Sequence, residues 1–205
     1  SKMEVFVFEP EGKGPFPRLV QCMHIPVGHT GIENDEFTLK TAKRYQDNGY
    51  VVVVPFIFHW WPKSVGIEIK RDEFRDDWTK LDLDASFNLI SGMENVDSER
   101  IGIFGYCWGG RVSWLSAGTN SKYKACAVFY GGRIKKKMGE NNPPAIDLAP
   151  NIKCPIIGFF SAMKTRILLL SMSMTIEGFQ QTEELSMSII DTTMPDMLFR
   201  VSTFK

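Results

Sequence analysis

The sequence predicts an α/β architecture: a doubly wound, mostly parallel sheet with helices on both faces, in one domain over residues 1–205. Three observations lead there. Apolar, β-branched runs alternate with amphipathic stretches through residue 160. One run, residues 50–55, shows no polar alternation, which is the mark of a strand buried on both faces. An apolar strand, a glycine-rich turn and a helical stretch follow one another over residues 101–117.

Taken in order, residues 5–8 read as a short strand and residues 9–17 as turns. Residues 18–23 form an apolar run that ends in a Pro/Gly-rich loop, residues 25–31. Asn34 is placed to cap the next helix, with Asp35 and Glu36 in its first turn, where the helix dipole favours acids. Leu39, Ala42 and Tyr45 recur at helical spacing, and Asn48-Gly49 ends the helix. Residues 77–90 form a second helix on which Trp78, Leu81, Ala85, Leu89 and Ile90 share a stripe. Further strands fall at residues 101–104, 125–130 and 154–160, with a helix at 111–117. Strands separated by helices imply right-handed parallel crossovers, and ligands in such sheets bind beyond the carboxyl ends of the strands.

Composition narrows the function. Twenty-four basic residues balance 24 acidic ones, so no global field draws in nucleic acid or an anionic membrane. The basic run Arg133-Ile134-Lys135-Lys136-Lys137 reads as a solvated loop, with contact to an anionic ligand as the alternative. Cys22, Cys126 and Cys154 sit in apolar strand-like runs as buried thiols, which suits a reducing compartment. No CxxC pair occurs and only three histidines are present, so neither a structural metal nor a cofactor is expected. With no signal peptide and no apolar run of transmembrane length, a cytoplasmic location without membrane contact is the expectation.

Chemistry concentrates at Cys107. Strand, sharp turn and helix, with Gly-x-Cys-x-Gly-Gly in the turn, form a nucleophile elbow. The nucleophile's backbone is strained there, so its neighbours must be small, which explains Gly105 and Gly109. The Trp108 N–H, opening the helix, is placed to donate to an oxyanion. A purely structural glycine turn is the competing reading of the same string.

The elbow Gly105-Tyr106-Cys107-Trp108-Gly109-Gly110 resembles that of the dienelactone hydrolase family within the α/β-hydrolases, where cysteine replaces the usual serine. The strand 48–55 resembles the family's Gly-Tyr-(apolar)-Pro strand, Phe129-Tyr130-Gly131-Gly132 its Tyr-Gly strand end, and residues 152–158 the strand leading to the triad acid. The resemblance covers residues 4–160. It implies metal-free hydrolysis of a small ester or lactone by a Cys-His-Asp triad; the sequence leaves monomer and homodimer both open. The resemblance places the second oxyanion donor in the loop after the first core strand, at about Ile25. From the residues themselves, His29 and His59 fall near strand ends where a substrate pocket should lie, and Trp60 and Tyr130 suggest an aromatic lining, with core packing as the alternative for either ring. Two departures, no acid in that loop before Glu33 and no arginine in residues 58–62, argue against a dienelactone as substrate.

The triad itself is incomplete. Acid and histidine should follow the nucleophile in chain order, yet no histidine follows His59. From residue 161 the texture changes, and six of the ten methionines fall between Met163 and Met197. Reading the last base of each codon with the first two of the next restores both motifs. Met163-Lys164 then forces Glu, Lys164-Thr165 allows only Asp or Asn, Met194-Pro195 forces Ala, and Asp196-Met197 allows only His or Tyr. The tail, residues 161–205, is therefore read as out of frame, with the last strand and helix disrupted, an exposed edge and weak order. His29 and His59 are the remaining candidates for a base. The expected function is a dienelactone-hydrolase-like ester or lactone hydrolase impaired by the missing acid and histidine. The alternatives are a non-catalytic ligand-binding protein on the same fold and redox sensing at Cys107.

Overall fold

The structure is a computed structural model that describes residues 2–162, 166–172 and 186–191, with side chains up to residue 159 except Ser98. Its centre is a sheet of strands β1 (Val5–Phe8), β2 (Phe16–Cys22), β3 (Val51–Pro55), β4 (Val96–Tyr106), β5 (Ala125–Phe129), β6 (Ile156–Ala162), β7 (Arg166–Met172) and β8 (Ser186–Asp191). They lie in the order β1-β3-β2-β4-β5-β6-β7-β8. The pairs from β3 through β6 are parallel, while β1/β3, β6/β7 and β7/β8 are antiparallel. Every residue of β3 is buried, as its unbroken Val51-Val52-Val53-Val54 run requires.

Helices α1 (Glu36–Asp47), α2 (Ile67–Asp72), α3 (Asp76–Ser91) and α4 (Trp108–Thr119) complete the fold. Adjacent residues of a strand face opposite ways, and this assigns the layers. Phe104 of β4 meets Tyr45 of α1 at 4.8 Å between rings. Its neighbour Ile103 pairs with Cys126 of β5, whose Sγ lies 3.6 Å from the Ser113 carbonyl on α4. Helices α1 and α4 therefore cover opposite faces, and the fold is the doubly wound α/β architecture expected. On the α1 face a groove of about 370 Å³, lined by Tyr45, Phe104, Ala127 and Ile157 among others, remains open among the described residues.

Three local expectations are corrected. Residues Ile32–Asn34 form a 3₁₀ turn, so the α1 cap moves one residue to Asp35, which accepts from the Thr38 amide at 3.1 Å. The stripe read on α3 is wrong: Leu81 is 60% and Leu89 45% exposed, and the buried face carries Thr79, Leu83, Ser86, Phe87 and Ile90. Two small polar residues, Thr79 and Ser86, bond carbonyls at Arg75 and Asp82 and so enter the core satisfied, which hid that face from a count of apolar residues. Finally, the tail, read as having no sound strand pattern, supplies β7 and β8, and β8 ends the order of the described strands. The expectations of a lost last helix and a weakly ordered tail concern residues 163–165, 173–185 and 192–205, which lie outside the described residues.

Candidate functional site

Strand β4 ends at Tyr106, and α4 begins at Trp108, so Cys107 alone makes the turn. Its φ of 56° lies in the left-handed region that a side chain rarely adopts. Two hydrogen bonds hold it there. The Cys107 amide donates to the Phe129 carbonyl at 2.9 Å, and the Gly110 amide donates to the Cys107 carbonyl at 3.1 Å. The thiol is free and partly exposed.

The glycines are a packing necessity. A Cβ on Gly105 would stand 2.9 Å from Cys22 Cβ and nearer still to the Gly109 carbonyl. One on Gly109 would stand 2.8 Å from the Met23 carbonyl oxygen and nearer still to that of Cys22. One on Gly110 would reach 2.7 Å from the Phe129 carbonyl oxygen. The elbow is thus pressed against the ends of β2 and β5, which brings the start of the loop after β2 and the segment from Tyr130 beside Cys107.

Tyr130 sits at the end of β5 with φ 41° and is 48% exposed. Its amide donates to Phe159 at 2.6 Å. Burial, and then the neighbouring Cys107, push its phenol above the ordinary tyrosine value. Trp108 is buried against Phe58 and Phe74, and its indole Nε1 has no hydrogen-bond partner among the described residues.

Of the remaining candidates, His29, His59 and Trp60 belong to other clusters. Ile25 is buried in the loop after β2. The His29 carbonyl accepts from Lys70 Nζ at 2.7 Å, while its ring Nδ1 is buried without a partner among the described residues. Burial first, then the charges of Lys70 and Arg71, lower the His29 pKa. His59 Nε2 pairs with Asp82 Oδ1 at 2.9 Å, and Trp60 Nε1 donates to Asp82 Oδ2 at the same distance. That pairing sits on α3, with Trp60 stacked on Trp78 at 4.9 Å. Burial raises the Asp82 pKa, against the lowering effect of His59 and Trp60.

Two features near the site go beyond the sequence reading: the burial of Arg111 and the placement of Arg133, which was read only as part of a basic loop. Arg111, fully buried on α4, grips Asp76 of α3 through two bonds of 2.6 and 2.7 Å. Its Nε and Nη2 also donate to the carbonyls of Arg133 and Lys136 at 3.3 and 3.4 Å. An arginine within the otherwise apolar and small residues of α4 was the available signal. Arg133, at φ 57°, is the second: its guanidinium lies over the Trp108 ring at 5.9 Å. Among the described residues no group of three or more His, Cys, Asp or Glu could hold a metal, and no helix is long and apolar enough to cross a membrane.

Comparison with known proteins follows this geometry. A protein of Methylorubrum extorquens with the provisional name carboxymethylenebutenolidase is 27% identical over 158 residues, 74% of this chain and 52% of that protein. A Yersinia pestis protein of the same provisional name is 23% identical over 177 residues, covering 82% of this chain and 63% of its own length. The chain thus spans about half to two thirds of these relatives. A crystal structure of a provisionally named dienelactone hydrolase from Klebsiella pneumoniae superposes with a TM-score of 0.60 at 22% identity, covering 77% of this chain and 72% of that one. The sequence profile of the dienelactone hydrolase family matches residues 3–182, and the chain belongs to that family.

Proposed function

We propose that this chain is a carboxylic ester or lactone hydrolase whose nucleophile is Cys107, and that as written it is impaired because the triad acid and histidine are absent. The left-handed Cys107 between β4 and α4, with glycines at 105 and 109 that leave no room for a Cβ, carries the reading. Strain of this kind is kept where it presents a side chain, and here it presents a partly exposed thiol.

The chemistry has two halves. The Cys107 thiolate adds to the ester carbonyl carbon, and the Trp108 amide, with that of Ile25 as the second donor, holds the oxyanion. The C–O bond then breaks, the alkoxide leaves and takes a proton from water, and a thioester remains on sulfur. Water must next attack that thioester, a step that needs a base. Loss of triad members lowers turnover by several orders of magnitude, while the oxyanion hole and binding still act.

Residues from about 161 onward we propose to be read out of frame. The pairing of the sheet supports this. A parallel successor to β6 needs a crossover of a dozen or more residues, whereas only residues 163–165 separate β6 from its antiparallel partner β7. Sequencing the parent DNA across codons 158–165 tests it, and an unambiguous read without the alternative frame refutes it.

Incubation with p-nitrophenyl acetate tests the nucleophile. One equivalent of p-nitrophenolate should appear in a burst, with an acetyl group on Cys107 by peptide mass spectrometry and slow release afterwards. Cys107→Ala should abolish burst and adduct. A missing adduct, with unchanged ligand binding in Cys107→Ala, would favour the non-catalytic binding protein that the missing histidine also suits.

A further inference from the structure

We propose that His29, Lys70 and Arg71 together form a binding site for a tetrahedral oxyanion, either a free ion or the phosphate group of a larger ligand. The site stands on its own residues and does not depend on the reading of Cys107.

Two segments distant in sequence meet here. The loop after β2 makes a 3₁₀ turn at Gly28–Thr30, and α2 carries Lys70 and Arg71 in its last turn. Lys70 Nζ donates to the His29 carbonyl at 2.7 Å, which ties α2 to that turn. The charges of Lys70 and Arg71 both act on the His29 ring and oppose its protonation. Three groups able to carry positive charge are thus gathered at one spot.

Nothing described there balances them. Lys70 is fully buried, and its ammonium meets two backbone carbonyls, those of His29 at 2.7 Å and Lys63 at 3.4 Å, and no carboxylate among the described residues. An ammonium has three protons, and the second of these bonds is long. Burial accordingly lowers the Lys70 pKa. His29 Nδ1 and Arg71 Nε are shut off from solvent, and neither has a partner among the described residues. The acids on the adjoining elements are engaged elsewhere. Glu68 accepts from Arg71 Nη1 at 3.1 Å, Glu33 from Lys63 at 2.8 Å and Glu73 from Trp61 at 2.7 Å, while Asp72 is exposed.

A buried polar group without a partner is rare, and a buried cation without a counter-charge is costlier still. Two orphaned nitrogens beside a buried ammonium call for an acceptor that carries negative charge. Water offers an oxygen but no charge. A tetrahedral oxyanion offers four oxygens and can accept from Nζ, Nδ1 and Nε together in charge-assisted bonds. The Arg71 side chain is 30% exposed, so an ion has a way in from solvent.

Sulfate is the first probe, because it has the shape of phosphate and does not itself titrate near neutral pH. Its affinity is measured by isothermal titration at constant ionic strength, and the histidine rings are followed by NMR, with His29→Asn identifying the His29 signal. Bound sulfate favours protonated His29, so it should move the His29 titration midpoint upward and leave those of His24 and His59 in place. By the same linkage, sulfate affinity should rise about tenfold as pH falls from about 8 to about 5. Arg71→Gln and Lys70→Met should each weaken sulfate by about tenfold or more, while Lys80→Gln, an exposed lysine on α3, should leave it within about twofold. Arg71→Gln changes a partly exposed side chain and so keeps the test open if Lys70→Met fails to fold. Phenyl phosphate binding at least as tightly as inorganic phosphate assigns the site to a phosphate carried on a larger ligand, and a preference for inorganic phosphate assigns it to the free ion. Sulfate that leaves the His29 signal unmoved, or that binds Arg71→Gln as it binds wild type, overturns the proposal and leaves the orphaned nitrogens to water.

Discussion

Replacing Gly109 by alanine puts the elbow's packing under direct test. The added Cβ would lie 2.8 Å from the Met23 carbonyl oxygen and nearer to that of Cys22. Both obstructing groups are backbone at the end of β2, in the middle of the sheet, so no rotamer change relieves the clash. Either the first turn of α4 lifts or the loop holding Ile25 shifts. Overpacking costs about 1–3 kcal/mol, and a rigid backbone obstacle places this case at about 3 kcal/mol. For a chain of this size that lowers Tm by roughly 6–12 °C. Gly132→Ala is the control: nothing lies within 4 Å of its Cβ position, so its stability should stay within about 0.5 kcal/mol of wild type. Thermal melts by circular dichroism and urea midpoints give both values. A Gly109→Ala protein that melts with Gly132→Ala would refute the claim that the strand-to-helix turn excludes a side chain.

Two further outcomes follow from the charges around the elbow. Asp76→Ala leaves the fully buried Arg111 without its carboxylate and should cost about 3–5 kcal/mol in urea unfolding at unchanged m-value; a loss below about 1 kcal/mol would mean that the loop carbonyls alone satisfy Arg111. The hydrogen bond from Arg75 holds the Asp77 carboxyl at about 2, below its unfolded value of about 3.9, so its contribution is present above pH about 4 and is lost as pH falls toward 2. Asp77→Asn should therefore flatten the stability profile between about pH 4 and 2 and leave its shape near pH 7 unchanged, and an identical acid limb in the variant would refute this.

Much of the scaffold was legible because its causes are local. A run of four valines has one role in an α/β fold, and β3 is buried throughout. Gly105 and Gly109 flank Cys107 because the turn is tight within a few residues. The cap of α1 was missed by one position, since a 3₁₀ turn ahead of it competes for the same residues. The α3 stripe was misread because amphipathicity counts apolar residues, and here buried Thr79 and Ser86 bond their own helix while Leu81 and Leu89 face outward.

The sequence alone determined the order of β1 to β6 with α1, α3 and α4, the buried central strand and the position of the strained cysteine, all of which depend on residues close in the chain. Tertiary structure alone decided which charges meet. His59 and Trp60 converge on Asp82, more than twenty residues away, and Arg111 reaches back 35 residues to Asp76. It also gathered Cys107, Tyr130 and Arg133 into one strained cluster. Such pairings are set by how helices dock on the sheet, and burial then compels each polar group to find whatever partner the docking provides.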